Sequence, residues 1–207
     1  MQQVIVQKFG GTSVGSGERI AAVAEIIKKE AEINNVVIVV SAMAGETDRL
    51  IELSKQFGDN QNKREFDALI STGEKVSASL LAMALNSLGL KAKSYSAAQV
   101  SLKTTSNFSK AMILDIDKTK MEKILSDDSI PIITGFQGIT ETGEVTTLGR
   151  GGSDTTAVAI AASIKADRCD IYTDVDGIYT TDPRIVPNAK KLDAISTVSY
   201  THLTLPT

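Results

Sequence analysis

The sequence contains little cysteine and histidine. Only one of its 207 residues is a cysteine, Cys169, and only one is a histidine, His202. A lone cysteine cannot close an internal disulfide, a usage typical of a reducing cytosol. No CxxC or HExxH arrangement is present, so we expect no transition-metal site built by the protein.

The chain also lacks an excess of positive charge and any long apolar run. Its 22 lysines and arginines face 25 acidic residues, for a net charge of -3. Such a balance argues against nucleic acid or an anionic membrane surface as a partner. No apolar run approaches the roughly 20 residues that cross a bilayer, and glycines follow the first apolar stretch too soon for a signal peptide. We therefore expect a cytoplasmic protein.

Strand-like and helix-like patterns alternate along the rest of the chain. Residues 36–40 are five consecutive β-branched residues, which favours a strand buried on both faces of a parallel sheet. A helix face is indicated by the spacing of Ile20, Val23, Ala24, Ile27 and Ala31. Further strands are predicted at 4–9, 95–100, 130–134 and 170–173, and further helices at 47–57, 63–88, 119–125 and 154–165. This alternation predicts one α/β domain whose mainly parallel sheet carries helices on both faces.

The first strand ends in a glycine-rich loop, KFGGTSVG, from Lys8 to Gly15. Adjacent glycines allow backbone amides to approach a ligand, and a helix N-terminus follows. With the lysine, the loop predicts a phosphate cradle; an ordinary strand-to-helix turn is the alternative. The loop is not a Walker A motif, because Ser16 follows Gly15, and the dinucleotide fingerprint G-x-G-x-x-G fails here and at Gly149.

A second glycine-rich loop, GRGGSDTT, precedes the alanine-rich helix. Arg150 offers a planar fork for a carboxylate or phosphate. Gly151 and Gly152 expose backbone amides, and Ser153 or Asp154 is expected to cap the helix.

Two acidic regions are ambiguous from the residues alone. Glu74, in the segment STGE, is either a solvated helix residue or the partner of a substrate ammonium. The neighbouring Gly73 indicates a close approach of the backbone, because glycine inside a helix costs about 1 kcal/mol. Asp174, Asp176 and Asp182 are either turn formers or ligands of a nucleotide ribose or of a lysine.

These segments together resemble the aspartate kinases of the amino acid kinase superfamily. KFGGTSVG, STGE, GRGGSDTT and YTDVDGIYTTDPR occur in the family's order, and the resemblance runs from about residue 4 to 196. It implies a three-layer αβα sandwich around a mainly parallel sheet. It also implies transfer of the γ-phosphate of ATP, with Mg²⁺ held mainly through the phosphates, to the β-carboxylate of L-aspartate. This reaction opens the biosynthesis of lysine, threonine and methionine.

The resemblance implies a role for each site residue. Lys8 and Asp154 would be catalytic, with Asp154 orienting the charged groups around the phosphates. Aspartate would be bound by Thr47, Glu74, Arg150, Gly151, Gly152 and Ser153, with Arg150 on the α-carboxylate and Glu74 on the ammonium. The nucleotide and its phosphates would be bound by Lys8, Phe9, Gly10, Gly11, Ser41, Thr173, Asp174, Tyr179, Asp182 and Arg184.

The family pattern stops after about residue 196. We expect residues 1–196 to be a kinase domain that is incomplete at its C-terminus and residues 197–207 to be a non-native tail. No regulatory domain is expected, and a homo-oligomer is possible. Two alternatives stay open: a sister kinase acting on glutamate, acetylglutamate, carbamate or a nucleoside monophosphate, and an inactive fragment that binds nucleotide or amino acid.

Overall fold

The computed structural model describes residues 2–58, 62–173, 188 and 190. In this part of the chain the strands are β1 (Val4–Phe9), β2 (Asn35–Val40), β3 (Ala92–Tyr95), β4 (Leu102–Thr104), β5 (Ile113–Ile116), β6 (Ile130–Thr134), β7 (Gln137–Ile139), β8 (Val145–Thr147) and β9 (Arg168–Tyr172). The helices are α1 (Gly17–Ala31), α2 (Glu46–Lys55), α3 (Lys63–Ile70), α4 (Thr72–Ser87), α5 (Lys118–Leu125) and α6 (Gly152–Ile164).

The main sheet has five strands in the order β3-β6-β2-β1-β9, and every neighbouring pair is parallel. Its central strand β2 is buried from Val36 to Val40, as the β-branched run predicts. Side chains of alternate residues enter the two cores, with Val36, Ile38 and Val40 on one face and Val37 and Val39 on the other. A strand with no solvated face needs apolar residues at every position, and this run supplies them.

Helices cover both faces of this sheet, which confirms the three-layer αβα sandwich. On one face α1 and α4 pack through two apolar stripes that include Ile20, Ile27 and Leu81. On the other face α5 and α6 pack through Met121 and Ile160. The predicted helix face of α1 is confirmed, since Ile20, Val23, Ala24 and Ile27 are all buried.

Two elements differ from the sequence prediction. The helix predicted over 63–88 divides at Ser71 into α3 and α4. Ser71 Oγ and Thr72 Oγ1 donate to the carbonyls of Ala68 and Leu69, and such back-bonding bends helices. The strand predicted over 95–100 lies earlier, at Ala92–Tyr95, because a turn follows Tyr95 in which the Gln99 side chain accepts from the Ser96 amide.

A second sheet, absent from the sequence prediction, has four short strands in the order β5-β4-β7-β8. It is mixed, with β4 and β7 parallel and the other two pairs antiparallel. Thr104 and Thr146 share a buried hydroxyl contact of 2.6 Å across it. The sheet lies beside α3 and extends the fold next to the carboxyl end of β6.

The stretch formed by α3 and α4, Lys63–Ser87, is long and apolar enough to cross a membrane by length and composition. Half of its most apolar window is buried inside the protein. Burial of that kind is typical of a core helix in a globular domain.

Candidate functional site

The carboxyl ends of four adjacent strands meet at one edge of the main sheet. Phe9 is in register with Val40 on one side and with Tyr172 on the other, and Val40 is in register with Thr134. The loops that follow these residues therefore start side by side. Ligands of open α/β sheets bind at this edge.

The loop after β1 packs tightly against its neighbours. The Gly10 amide donates to the Tyr172 carbonyl at 3.0 Å, and the Ala44 amide donates to the Gly11 carbonyl at 3.1 Å. A Cβ at Gly11 would lie 2.8 Å from the Ala42 carbonyl oxygen. Only glycine fits there without a shift of backbone. The Phe9 and Tyr172 rings stack with centroids 4.6 Å apart and close this side of the loop.

Lys8 brings a positive charge to the same place. Its side chain projects from β1 toward α6, and Nζ lies 2.6 Å from Asp154 Oδ1. The exposed fractions of the two side chains are 8% and 24%. The sequence placed these residues in separate loops; the fold brings them together. An ammonium held this way is available to a phosphate that approaches the Gly10–Gly11 loop.

The second glycine-rich loop differs from the prediction at the helix cap. The N-cap of α6 is Gly151, with φ of 70°, and no side chain caps the helix. Ser153 and Asp154 lie in the first turn instead, so the expectation that either caps α6 is wrong. The reason is that Gly151 adopts the left-handed conformation, which starts the helix earlier than a side-chain cap would. An uncapped helix N-terminus favours an anionic ligand.

Glu74 occupies the first turn of α4 and is only 3% exposed. One carboxylate oxygen accepts from the Ala42 amide at 3.1 Å, and Oε2 has no partner within the described residues. Burial raises the pKa of Glu74 to about 7. A carboxylate left half-satisfied in this way would be stabilised by a cationic ligand group.

The expected close approach at Gly73 is confirmed, because a Cβ there would lie 2.8 Å from the Ala42 Cβ. One residue before Ala42, the Ser41 carbonyl accepts from Ser77 Oγ at 2.7 Å. The N-terminus of α4 is thus fastened to the loop after β2. Ser41, the first residue after β2, and Thr47, the second residue of α2, are both partly accessible.

Arg150 is exposed, and in the part of the chain that the structure describes it forms no ion pair. Thr173 follows the last residue of β9 at the same edge and is exposed. The predicted nucleotide-binding residues Asp174, Tyr179, Asp182 and Arg184 lie outside the described residues, as do Asp176 and the segment 197–207. Their roles stay predictions.

Sequence reasoning missed the loop after β6. Phe136 has φ of 67°, its carbonyl accepts from the Leu148 amide at 2.9 Å, and its ring packs on Gly152. Gly135 lies against Ser153: a Cβ added at Gly135 would be 2.6 Å from the Ser153 Cβ. The signal was present, since Gly135 directly follows a buried strand that ends at the same edge as the other loops.

Among the described residues no group of three or more His, Cys, Asp or Glu side chains is placed to hold a metal ion. Asp154 is the carboxylate that the fold sets beside Lys8. A divalent cation at this edge would therefore depend mainly on oxygens brought by the ligand and by water, which is usual for Mg²⁺ with nucleotides.

Comparison with known proteins agrees with this arrangement. The model of the amino acid kinase family matches residues 3–203. The chain is 56% identical over 194 residues to an aspartate kinase of Pseudomonas putida, covering 93% of this chain and 47% of the relative. It is 55% identical over 194 residues to an aspartokinase of Geobacillus stearothermophilus, covering 93% and 48%. The chain thus spans about half the length of the curated relatives it matches.

Solved structures give the same result. The crystal structure of aspartate kinase from Synechocystis aligns with a TM-score of 0.74 at 50% identity, covering 90% of this chain and 31% of that one. The structure of E. coli aspartokinase III in complex with aspartate and ADP aligns with a TM-score of 0.76 at 29% identity, covering 92% and 54%.

Proposed function

This chain belongs to the amino acid kinase family, and we propose that its site transfers the γ-phosphate of ATP to the β-carboxylate of L-aspartate. The products are 4-phospho-L-aspartate and ADP. The observation that carries the proposal is the Lys8–Asp154 ion pair of 2.6 Å, set between two glycine-rich loops at the carboxyl edge of the sheet. The likeness to aspartate kinases and to an aspartokinase with aspartate and ADP supports it.

The acceptor half of the site is formed by Glu74, Arg150 and the N-terminus of α6. The unpartnered Oε2 of Glu74 suits the ammonium of an amino acid. The guanidinium of Arg150 suits the α-carboxylate, because its fork matches two carboxylate oxygens. The remaining groups, Thr47, Gly151, Gly152 and Ser153, would contact the side-chain carboxylate or the backbone of the substrate.

The donor half is formed by Lys8 and the loops after β1, β2 and β9. Lys8, Phe9, Gly10, Gly11 and Ser41 would hold the phosphates, and Thr173 would begin the nucleotide pocket. Asp154 holds the Lys8 ammonium before ligands bind. The lysine is therefore oriented at no further cost when the γ-phosphate arrives, as preorganised electrostatic stabilisation requires.

The chemical step needs no general base. The β-carboxylate of aspartate is already ionised at about pH 7. One of its oxygens forms a bond to the γ-phosphorus while the bond from that phosphorus to the β,γ-bridging oxygen breaks, and the electron pair leaves on ADP. Lys8 and the loop amides offset the negative charge that keeps the two anions apart. Mg²⁺, when bound, neutralises phosphate oxygens and is held mainly by them.

We further propose a biological setting for this reaction. An acyl phosphate of aspartate is an activated compound suited to open lysine, threonine and methionine biosynthesis, and we propose the cytoplasm as its location. We place the protein there, acting with ATP and free L-aspartate and without nucleic acid or membrane partners. Assembly into a homo-oligomer is compatible with this role.

An acceptor panel tests the proposal. ADP release is measured with ATP and Mg²⁺ in the presence of L-aspartate, L-glutamate, N-acetyl-L-glutamate, carbamate or a nucleoside monophosphate. We expect release with L-aspartate alone. Release with another acceptor would assign the chain to a sister kinase, and release with none, while ADP still binds, would make it a binding fragment.

A further inference from the structure

Asp67 is a buried carboxylate that the site description does not use. It lies in α3, is 0% exposed, and accepts four hydrogen bonds. Oδ2 accepts from the backbone amides of Ser109 and Thr147 at 2.8 and 2.7 Å. Oδ1 accepts from the hydroxyls of the same two residues, each at 3.0 Å. Buried polar groups are hydrogen-bonded in folded proteins, and both oxygens of this carboxyl group are.

The four bonds join segments that lead directly into the acceptor half of the site. Asp67 stands one turn before Ser71, whose segment continues to Glu74. Thr147 is the last residue of β8 and precedes the loop that carries Arg150. Asp67 thus connects α3, which leads to Glu74 at the start of α4, with the end of β8, which leads to Arg150.

Neighbouring contacts make this connection rigid. The Thr147 carbonyl accepts from the Ala111 amide at 2.9 Å, so the amide and the carbonyl of Thr147 are both hydrogen-bonded. Gln137 Nε2 donates to the Ser71 carbonyl at 2.9 Å in a buried contact between β7 and the start of α4. The Leu148 amide is held by Phe136 at 2.9 Å. The Asp67 contacts complete this set of hydrogen bonds, because they are the ones that join α3 to Thr147 and Ser109 through a side chain.

We infer that Asp67 is a positioning residue for the amino-acid acceptor, which sets the separation of Glu74 and Arg150 and so the length of amino acid that the site accepts. This inference rests on the proposed function. Asp67 acts through Thr147 and Ser109 and touches no substrate itself. Its loss lets the loop at 148–152 move relative to α4. The four hydrogen bonds that Asp67 accepts come from Ser109 and Thr147, and none comes from Lys8.

The test uses Asp67→Ala, Asp67→Asn and, as a control away from the site, the more exposed Asn86→Ala. Asn86 also clamps two segments through two side-chain hydrogen bonds, to the amide and carbonyl of Ala92 at 3.0 and 3.1 Å, but at the opposite edge of the sheet. The Asn variant of Asp67 retains an acceptor for the two amides, and its NH₂ group can donate to hydroxyls that reverse their direction. We therefore expect it to behave like the parent protein.

Steady-state constants are measured for L-aspartate and ATP, with L-glutamate as a competing acceptor. We expect Asp67→Ala to raise the KM for L-aspartate by about tenfold or more and to leave the KM for ATP within about twofold. Discrimination against L-glutamate should fall in the same variant. Asp67→Asn should restore both values, and Asn86→Ala should lower the melting temperature without changing either KM. Parallel changes in both KM values, or none, would overturn the inference.

Amide exchange separates this inference from the proposed function. Hydrogen exchange is followed at residues 148–152 without substrate, with α1 as an internal reference. Faster exchange there in Asp67→Ala, and not in Asn86→Ala, supports the positioning role even if the parent shows no turnover. Unchanged exchange at 148–152 would overturn it even if the parent is an active kinase.

Discussion

Lys8 and Asp154 form an ion pair, with Nζ 2.6 Å from Oδ1, although one lies on β1 and the other in the first turn of α6. The pair joins the two glycine-rich loops across the carboxyl edge of the sheet. It engages the Asp154 carboxylate with the Lys8 ammonium, so that this carboxylate is held in an ion pair and is not free to act as a general base. This arrangement suits transfer between two anions better than it suits proton abstraction.

Removing Asp154 should destabilise the unliganded protein. In Asp154→Ala the Lys8 ammonium, which is 8% exposed, loses its partner. We expect a loss of about 1–3 kcal/mol in the free energy of unfolding, measured by urea denaturation. Glu52→Ala is the control: it breaks the Lys55–Glu52 pair, whose side chains are 62% and 69% exposed, and should cost at most about 1 kcal/mol. Equal losses in both variants would contradict the buried pair.

Glu74 should make stability fall as pH rises. Its pKa is raised from 4.5 to about 7 by burial, so between these values the folded chain holds a proton that the unfolded chain has released. Stability therefore decreases through this window by up to about 3 kcal/mol and the penalty is complete above it. Glu74→Gln cannot ionise and should be more stable than the parent at about pH 8, with the difference shrinking toward about pH 5. A difference that is independent of pH would contradict the assignment.

The Gly10–Gly11 loop should not tolerate a side chain at its second position. Alanine at Gly11 would place Cβ 2.8 Å from a backbone oxygen of Ala42, and backbone must move. We expect Gly11→Ala to lower the free energy of unfolding by about 1–3 kcal/mol. A Cβ at Gly17 would enter open space. Gly17→Ala should therefore be neutral or stabilising by up to about 1 kcal/mol. The urea midpoints of the two variants measure this difference in stability. Similar midpoints would contradict the close packing of Gly11 against Ala42.

Arg150 should matter for substrate and not for stability. It is exposed and has no ion pair within the described part of the chain, so Arg150→Ala should change unfolding free energy by about 0.5 kcal/mol at most. Because the variant loses a charged hydrogen-bond donor to the α-carboxylate, the KM for L-aspartate should rise by about ten- to hundredfold. Arg49→Ala is the control: it removes an exposed arginine paired with Glu46 and should leave the KM for L-aspartate unchanged. An unchanged KM in Arg150→Ala would exclude this role.

Much of the main sheet could be predicted because its signals are local. The β-branched run at 36–40 and the apolar face of α1 are patterns within one element, and each is reproduced. The strand-end loops were also found from glycines that directly follow apolar runs. Their convergence follows from the parallel order of the sheet, which the alternation of strands and helices indicates.

What the sequence did not reveal depends on residues far apart in the chain. The strands of the second sheet β4, β7 and β8 have three residues each, too few to form a pattern before they pair. Asp67 looks like an ordinary helical acid until Ser109 and Thr147 surround it. The cap of α6 at Gly151 and the break at Ser71 arise from backbone geometry that tertiary contacts select.

The most direct test of the central claim is to trap the acyl phosphate. The protein is incubated with ATP, Mg²⁺, L-aspartate and hydroxylamine, and aspartyl hydroxamate is measured beside Lys8→Ala and Glu74→Ala. We predict hydroxamate that requires L-aspartate and is lost in both variants. Folded protein that binds ADP yet forms no hydroxamate, or product that persists in Lys8→Ala, would contradict phosphoryl transfer at this site.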